Sequence, residues 1–523
     1  MNAGRVGNRI AIAAVALLAM AHLAIWFVSF FTSPIGFDEA FILQAPLNLV
    51  QGRGYSTEDW VAGGPNIPFD ATVSTGPIVG MPVALSFLIF GVSIEAARIV
   101  TLPFFLLLLA CLVVLGRRYA GWWGAAAALG ILIVLDARAD FPYSVLYGPS
   151  DALGEYPTAA LLALALVLLP RRRMLAGLLV GFAVLGKFMS MIAVPAFLLA
   201  LLLIPITRGR PWGRRVGELL GFLGFAALPN VVWELVKLVS LGWTDYLVSL
   251  RAYAVFVFHS GSGADATNKG DYLERGSQLF AAWQFPTPLA LVLGVALIAL
   301  GLVGVWRRAV DQGFVPVARD RFVRRAADFL RSAGPDVLAL ALALGAVAVW
   351  WTFISSSVYI RHTMPIMIAT VPVVAALAVA ALRWLVTRGR AWRATASAAV
   401  VVATAATAYG GVASIVASTQ SPLWSRADQQ ATADFVQELG VEEVQGMGWW
   451  EAPDIRLLSG IPSRPVGTGS GSGPLILEPV MRVHNPYGYQ YGSGLCRDIL
   501  FERNGFVVCE IDSDQAPLPE GTV

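Results

Sequence analysis

Residues 77–93 read PIVGMPVALSFLIFGVS, and whether this stretch crosses a bilayer decides the topology of everything that follows it. A spanning helix needs about 20 mostly apolar residues, and about 17 at the least. This one is apolar, but it carries Pro77, Gly80, Pro82 and Gly91, residues that weaken a helix interior. The flanking sequence resolves it. Apolar runs over 9–31, 97–116, 121–136, 156–170, 174–187, 188–206, 216–240, 288–306, 336–354, 364–383 and 394–416 are the candidate spans. With the N-terminus in the cytoplasm and 77–93 not crossing, every basic cluster falls inside: Arg5 and Arg9, Arg117 and Arg118, then 171–173, 208–215, 307–331 and 383–393. That is the positive-inside arrangement. Were 77–93 to cross fully, each later cluster would face outward. It therefore reads as an interfacial or re-entrant helix in a polytopic bundle of about eleven spans, N-terminus inside and C-terminus outside.

The composition agrees. Of 523 residues, 57% are hydrophobic and 14% charged, against about half and about a quarter in ordinary soluble domains. A soluble enzyme could not cover that apolar surface, and a disordered chain would lack it. The net charge of +3, from 37 Lys+Arg against 34 Asp+Glu, shows no basic excess for nucleic acid. With the inner face basic and the outer one acidic, it is the average of two opposed faces. Three Cys exclude a disulfide scaffold, and four His without an HExxH pattern argue against a His-rich metal site. No cofactor is expected, although an acidic outer loop offers oxygen ligands to a divalent cation. Arg5 and Arg9 before an apolar run suggest a signal peptide, but the run to Phe31 is too long for one; an uncleaved first span is expected.

The expected organisation is a membrane domain over 1–416, with outer loops at 32–96 and 241–286, and an extracytoplasmic tail over 417–523. The middle of the second loop, SGSGADATNKGD (260–271), suits a mobile loop that closes over a site. In the tail, a helix-like 427–439 and an apolar 505–511 point to a small α/β domain. Cys496 and Cys509 are the cysteines expected outside; the sequence leaves open whether they pair. Cys111 lies in a span and reads as a small buried apolar residue. No repeat of 20–50 residues and no matched broken helices occur in the sequence, which weakens the alternative of a lipid or sugar transporter or flippase.

Ionisable residues near membrane depth are costly, so each is by default a functional hypothesis. The expected outer ends of the spans collect several: Asp38 and Glu39; Asp136, Arg138, Asp140, Asp151 and Glu155; Lys187 between two apolar runs; Glu234 and Lys237; Tyr359, Arg361 and His362. A carboxylate can take a proton from an incoming hydroxyl, while Lys187 and Arg361 can hold a phosphate and stabilise it as it leaves. Lys187, a lone cation at a tight turn, has no evident structural use. Glu234 and Lys237 suit a mutual ion pair as well as a ligand contact. His22 reads as a hydrogen-bonded core residue and His259 as a surface one. Group transfer from a lipid phosphate to an alcohol fits the set, since no nucleotide motif is present.

Assembled in order, these pieces resemble the GT-C glycosyltransferases, in the branch of the protein O-mannosyltransferases and the lipid A aminoarabinose transferases. GFDEAFILQAPLNLVQGRGY (36–55) is similar to that family's first loop with its Asp-Glu pair, and GPIVGMPVALSFLIFGVSIEAARIV (76–100) to the interfacial segment and second span. The basic turn RRYAGWWGA (117–125), Ser150-Asp151, GLLVGFAVLGKF (177–188) and IRHTMPIMIATVP (360–372) follow in the family's order. Gly186 and Phe188 depart from the Thr and Gly that flank the family's lysine, and His362 stands where a Tyr is common. The resemblance implies an inverting, metal-independent hexosyl- or pentosyltransferase in the bacterial cell membrane, using a polyprenyl-phosphate-linked sugar and a lipid, glycan or protein acceptor. It makes Asp38 the candidate base or the group that orients the acceptor hydroxyl, with Glu39 supporting the site, Asp151 near the sugar, and Lys187 and Arg361 on the donor phosphate. Glu155, Tyr359 and His362 complete the candidate substrate-binding set without an assigned role.

Overall fold

The computed structural model describes residues 3–57, 66–135, 148–207, 212–256, 272, 275, 334–354, 360–419, 424–447, 452–466, 473–479, 481–484 and 486–511. In chain order the helices are α1 (Ala3–Thr32), α2 (Phe37–Val50), α3 (Pro77–Phe90), α4 (Ile94–Arg98), α5 (Thr101–Val134), α6 (Glu155–Leu168), α7 (Arg173–Gly186), α8 (Ala193–Thr207), α9 (Trp212–Val255), α10 (Pro335–Val349), α11 (Met364–Val386), α12 (Arg390–Thr419), α13 (Arg426–Glu438), α14 (Pro453–Ser459), α15 (Met481–His484) and α16 (Pro486–Leu495). The strands are β1 (Ser56–Thr57), β2 (Ile67–Pro68), β3 (Val444–Gly446), β4 (Ser463–Pro465), β5 (Leu475–Leu477), β6 (Cys496–Arg503) and β7 (Phe506–Ile511). The chain is a mainly helical membrane bundle with a small C-terminal α/β region. Among the described residues, six helices are long and apolar enough to cross a membrane. The candidate span at 288–306 lies outside the described residues.

By contacts the chain forms two compact units, one of 1–25, 103–140 and 154–414, the other of 26–102, 141–153 and 415–523. In the first, the basic turn expected between two spans interrupts α5 at Ala120 and Gly121, where Gly121 has φ +73°. Arg118 Nη1 and the Tyr119 hydroxyl of that turn donate to Asp336 Oδ2, at 2.9 and 2.8 Å, at the start of α10. The apolar runs at 156–170, 174–187 and 188–206 become helices of 14, 14 and 15 residues. Each is about 21–23 Å long at 1.5 Å per residue, and a short 3-10 turn at Phe188–Ile192 separates the last two. α7 packs on α9 through Gly177 and Gly181, where an added Cβ would collide with the carbonyl oxygens of Phe222 and Ala226. Small residues four apart bring two backbones together where there is no water to drive packing. His22 hydrogen-bonds the Leu129 carbonyl at 2.9 Å, so it is the core histidine expected.

The expected loop at 241–286 is corrected at its start. α9 continues past residue 240 to Val255, with a break at Gly242, φ +75°, a backbone geometry that favours glycine. An apolar, polar and aromatic mixture reads as loop in a hydropathy scan, yet nothing in 243–255 opposes helix except the glycine before it. The Gly/Ser/Asp-rich 260–271 lies outside the described residues.

In the second unit, α3 shows why its sequence is ambiguous. It is apolar on every side, but only one face, with Val79, Val83 and Phe87, packs on Leu43 and Leu47 of α2. Met81, Leu85, Leu88, Ile89 and Phe90 on the other side are exposed. At 14 residues it is about 21 Å long, against a hydrocarbon core of about 30 Å. A short helix with one face on protein and a bare apolar face suits the interfacial element anticipated.

The tail in this unit forms a five-stranded sheet of order β4-β3-β5-β7-β6, parallel across β4-β3-β5 and antiparallel across β5-β7-β6. Helix α13 begins with a capping box of Ser425 and Asp428. Burial of Asp428 favours its neutral form, but hydrogen bonds from Asn504, Ser425 and Arg503 outweigh this and lower its pKa from 3.8 to about 2. Cys496 and Cys509 form a disulfide across the β6–β7 hairpin, with their Cα atoms 5.4 Å apart. The tail also grips the first loop. Gln429 brackets Ile35, accepting from its N–H at 2.9 Å and donating to its carbonyl at 2.8 Å, and Arg456 donates to Asn48 at 3.1 Å. Beside them Glu478 is pushed well above the usual carboxylate range by burial and by the adjacent Asp454.

Candidate active site

In the second unit the site is built on the first turn of α2. Gly36 caps it in an extended conformation, leaving Asp38 and Glu39 in the first turn. Free N–H groups and the helix dipole favour negative charge there. The two acids meet different fates. Asp38 is half-buried, whereas Glu39 is 1% exposed and fully engaged. Arg98 donates to it through two nitrogens, Nε to Oε1 at 2.9 Å and Nη2 to Oε2 at 2.6 Å. The Ala152 N–H adds a bond to Oε1 at 2.8 Å. The same guanidinium donates to the Ser33 and Pro34 carbonyls at 2.8 and 2.9 Å. It thereby fixes the segment that leads into Asp38.

Asp151 belongs to this cluster. Its Oδ1 lies 3.6 Å from Arg98 Nη2, and its Oδ2 accepts from the Gly148 N–H at 2.7 Å. Ser150 joins through its hydroxyl to Ser29 at 2.7 Å. Thr101 links the Arg98 and Ser150 carbonyls. Arg98, 0% exposed, is the residue that sequence reasoning does not single out. It sits inside IEAAR (94–98), and the signal is there: an arginine opening a long apolar run is costly unless it is paired.

The first unit holds the other candidates. Lys187 follows the last turn of α7 in an extended conformation, φ −150°, and is 2% exposed. It is not the lone cation expected, because its Nζ donates to Glu155 Oε1 at 2.6 Å. The acid without an assigned role and the lysine without a structural use are partners, 32 residues apart in sequence. Arg361 is buried in the 3-10 turn Ile360–Thr363 that leads into α11, with His362 beside it and half-buried. Tyr359 lies outside the described residues, as do Asp136, Arg138, Asp140 and His259. Glu234 and Lys237 form the mutual pair, at 2.9 Å. Among the described residues no three His, Cys, Asp or Glu side chains gather into a group that could hold a metal ion.

Sequence comparison finds no matching family model and no matching curated relative. Comparison of structures does. ArnT from Cupriavidus metallidurans, in a crystal structure bound to undecaprenyl phosphate, is 14% identical and superimposes with a TM-score of 0.57 over 95% of this chain and 97% of its own. The oligosaccharyltransferase of Archaeoglobus fulgidus is similar in two crystal structures. One, with zinc and sulfate, is 14% identical with a TM-score of 0.51 over 92% of this chain and 66% of its own. The other, tethered to an acceptor peptide, is 13% identical with a TM-score of 0.53 over 98% and 75%. At these identities the likeness speaks for the fold, and it does so over nearly the whole chain: this protein shares the membrane fold of ArnT and of the oligosaccharyltransferase.

Proposed function

We propose that the protein is a membrane glycosyltransferase that moves a sugar from a polyprenyl-phosphate donor to an acceptor hydroxyl of a lipid, glycan or protein, with inversion at the anomeric carbon. The observation that carries this reading is the unequal state of the two acids on α2. Glu39 is buried and consumed by Arg98, while Asp38, held in the same turn, stands half-exposed at a helix N-terminus. That is the arrangement a general base needs: a fixed position, and a carboxylate that an acceptor can reach.

In the proposed reaction Asp38 accepts the proton of the acceptor hydroxyl. The oxygen attacks the anomeric carbon from the face opposite the phosphate. The bond from that carbon to the phosphate oxygen breaks, and the phosphate leaves with the electron pair. Cationic groups stabilise the charge as it develops, a role that falls to Lys187 and Arg361, with Asp151 near the sugar. The reading is metal-independent: Glu39, the second acid of the motif, has its charge balanced by Arg98 rather than left to a cation. The site is read as facing the extracytoplasmic side of a bacterial cell membrane, with the N-terminus in the cytoplasm and the tail outside.

The test uses the full chain in lipid nanodiscs with a labelled polyprenyl-phosphate sugar and a panel of acceptors, with and without chelator. Consumption of donor with labelled product is expected. Asp38→Asn should lower the rate about 10²–10⁴-fold, the usual worth of a positioned base, with folding retained. Full activity in that variant would remove Asp38 from the role, and donor moved across the bilayer unconsumed would favour a flippase.

A further inference from the structure

The ion pair on α9 takes no part in the proposed transfer, and its surroundings give it a use. In a straight helix Lys237 and Tyr253 would be about 24 Å apart, at 1.5 Å per residue. Instead, Lys237 Nζ lies 5.6 Å from the centre of the Tyr253 ring. Tyr246, which would be about 18 Å from Glu234 in a straight helix, comes close enough to that carboxylate to interact with it. The reversal at Gly242 therefore folds 243–255 back over the pair. The Tyr253 ring also meets Phe188 edge-on at 5.4 Å, and Phe188 is the residue after Lys187.

The helices fix where Lys237 stands relative to Lys187. Gly177 abuts Phe222, Gly181 abuts Ala226, and Asn230 donates to the Gly181 carbonyl at 3.1 Å, so α7 and α9 run parallel. From the Gly181–Ala226 contact, Lys187 is about 9 Å along α7 and Lys237 about 16 Å along α9. Both ammonium groups lie toward the same end of the pair, Lys237 about one and a half turns further out. They differ in how firmly they are held. The Glu155–Lys187 side chains are 7% and 2% exposed, and Lys187's charge is offset there. In the outer pair Glu234 is 35% exposed and Lys237 is 13% exposed. A half-buried pair three residues apart is held less firmly than a fully buried one and is more readily exchanged for a better anion.

We infer that Lys237 is a further cationic contact, beside Lys187 and Arg361, for the phosphate of the lipid-linked donor, exchanging Glu234 for a phosphate oxygen while the Tyr253 ring stays against its ammonium. The assignment rests on the proposed polyprenyl-phosphate donor. Lys187 is already offset by a buried Glu155; besides the proposed Arg361, the less firmly held Lys237 offers an ammonium at the same end of the helices.

The test measures binding to the full chain in nanodiscs, with a polyprenyl phosphate as probe and the uncharged polyprenol of equal length as control. Lys237→Met should weaken the phosphate about tenfold or more and leave the polyprenol unchanged. Lys237→Arg should restore most of the loss, and Glu234→Gln should bind the phosphate as well as the parent or more tightly. If Lys237→Met and Glu234→Gln weaken it equally, or neither changes it, Lys237 is only a helix-stabilising partner and the inference falls. If Lys187→Met lowers phosphate binding but Lys237→Met does not, the donor reading stands without this contact. A parent protein that does not distinguish the phosphate from the polyprenol would overturn both.

Discussion

Two buried acid–base pairs, one in each compact unit, are built on opposite plans. Glu39–Arg98 is closed. Both carboxylate oxygens accept, a backbone N–H joins in, and the guanidinium spends its remaining donors on the Ser33 and Pro34 carbonyls. Glu155–Lys187 is open: Glu155 Oε1 accepts from the lysine, while its Oε2, though buried, has no hydrogen-bond partner among the described residues. A closed network fixes backbone, and an open pair can still take a ligand. The difference also follows the chemistry of the cations. Arginine's planar fork satisfies several acceptors at once, whereas an ammonium is a point charge that can be shared or moved.

The comparison can be broken most directly at Arg98. Arg98→Met leaves Glu39 buried and uncompensated, and should cost about 3–5 kcal/mol, read as a large fall in thermal stability of the purified protein. Arg98→Lys should recover only part, because one ammonium cannot reproduce the fork. If Arg98→Met unfolds at the parent temperature, the network is not what holds the loop. At the open pair the larger effect should be on activity. Lys187→Met is expected to lower turnover about 10²–10³-fold, the scale of losing one charge-stabilising donor. Glu155→Gln should retain donor binding, since the cation stays. Equal losses in turnover from the two variants would mean that the pair only holds α6 to α7.

Smaller effects sharpen the contrast from the tail, which belongs to the unit of the closed network. Cys496→Ser opens a hairpin closed across 13 residues, and should destabilise the tail by about 2–3 kcal/mol. Faster amide exchange is expected in β6 and β7, with exchange around Glu155 and Lys187 unaltered. Faster exchange at that open pair as well would mean the two regions are not independent. The smallest effect concerns pH. Asp428 titrates at about 2 rather than 3.8, so its folded form favours the carboxylate. The stability it gives is fully present above the ordinary value and is lost as pH falls through about 2. Protection of α13 should fall over that window, and in Asp428→Asn that step should disappear.

Much of this is legible in the sequence. The apolar helices, the break at Ala120–Gly121, the helix 427–439 and the strand at 505–511 depend on hydropathy runs and on local backbone sterics, which a reader of the chain can apply. The Asp-Glu pair and Lys187 stand out because charge beside apolar runs is costly. Arg98 and Glu155 acquire no roles from sequence, because each is defined by a partner distant along the chain. The helical start of 241–286 escapes for a different reason. A polar, aromatic stretch after a span looks like a loop, and a single glycine can be either the end of a helix or its bend.

The sequence by itself determined that this chain belongs in a membrane, where it enters and leaves many of its helices, how 77–93 reads from its prolines and from the charges that flank the spans, and which acids could act as a base. Those properties are set by transfer energies and dihedral limits acting over a few turns. Only the tertiary structure decided which charges are spent. It joined Glu39 to Arg98 and Lys187 to Glu155, paired Cys496 with Cys509, and folded Tyr253 over Lys237. Each of these depends on distances that packing, not chain order, brings within reach of a hydrogen bond, an ion pair or a disulfide.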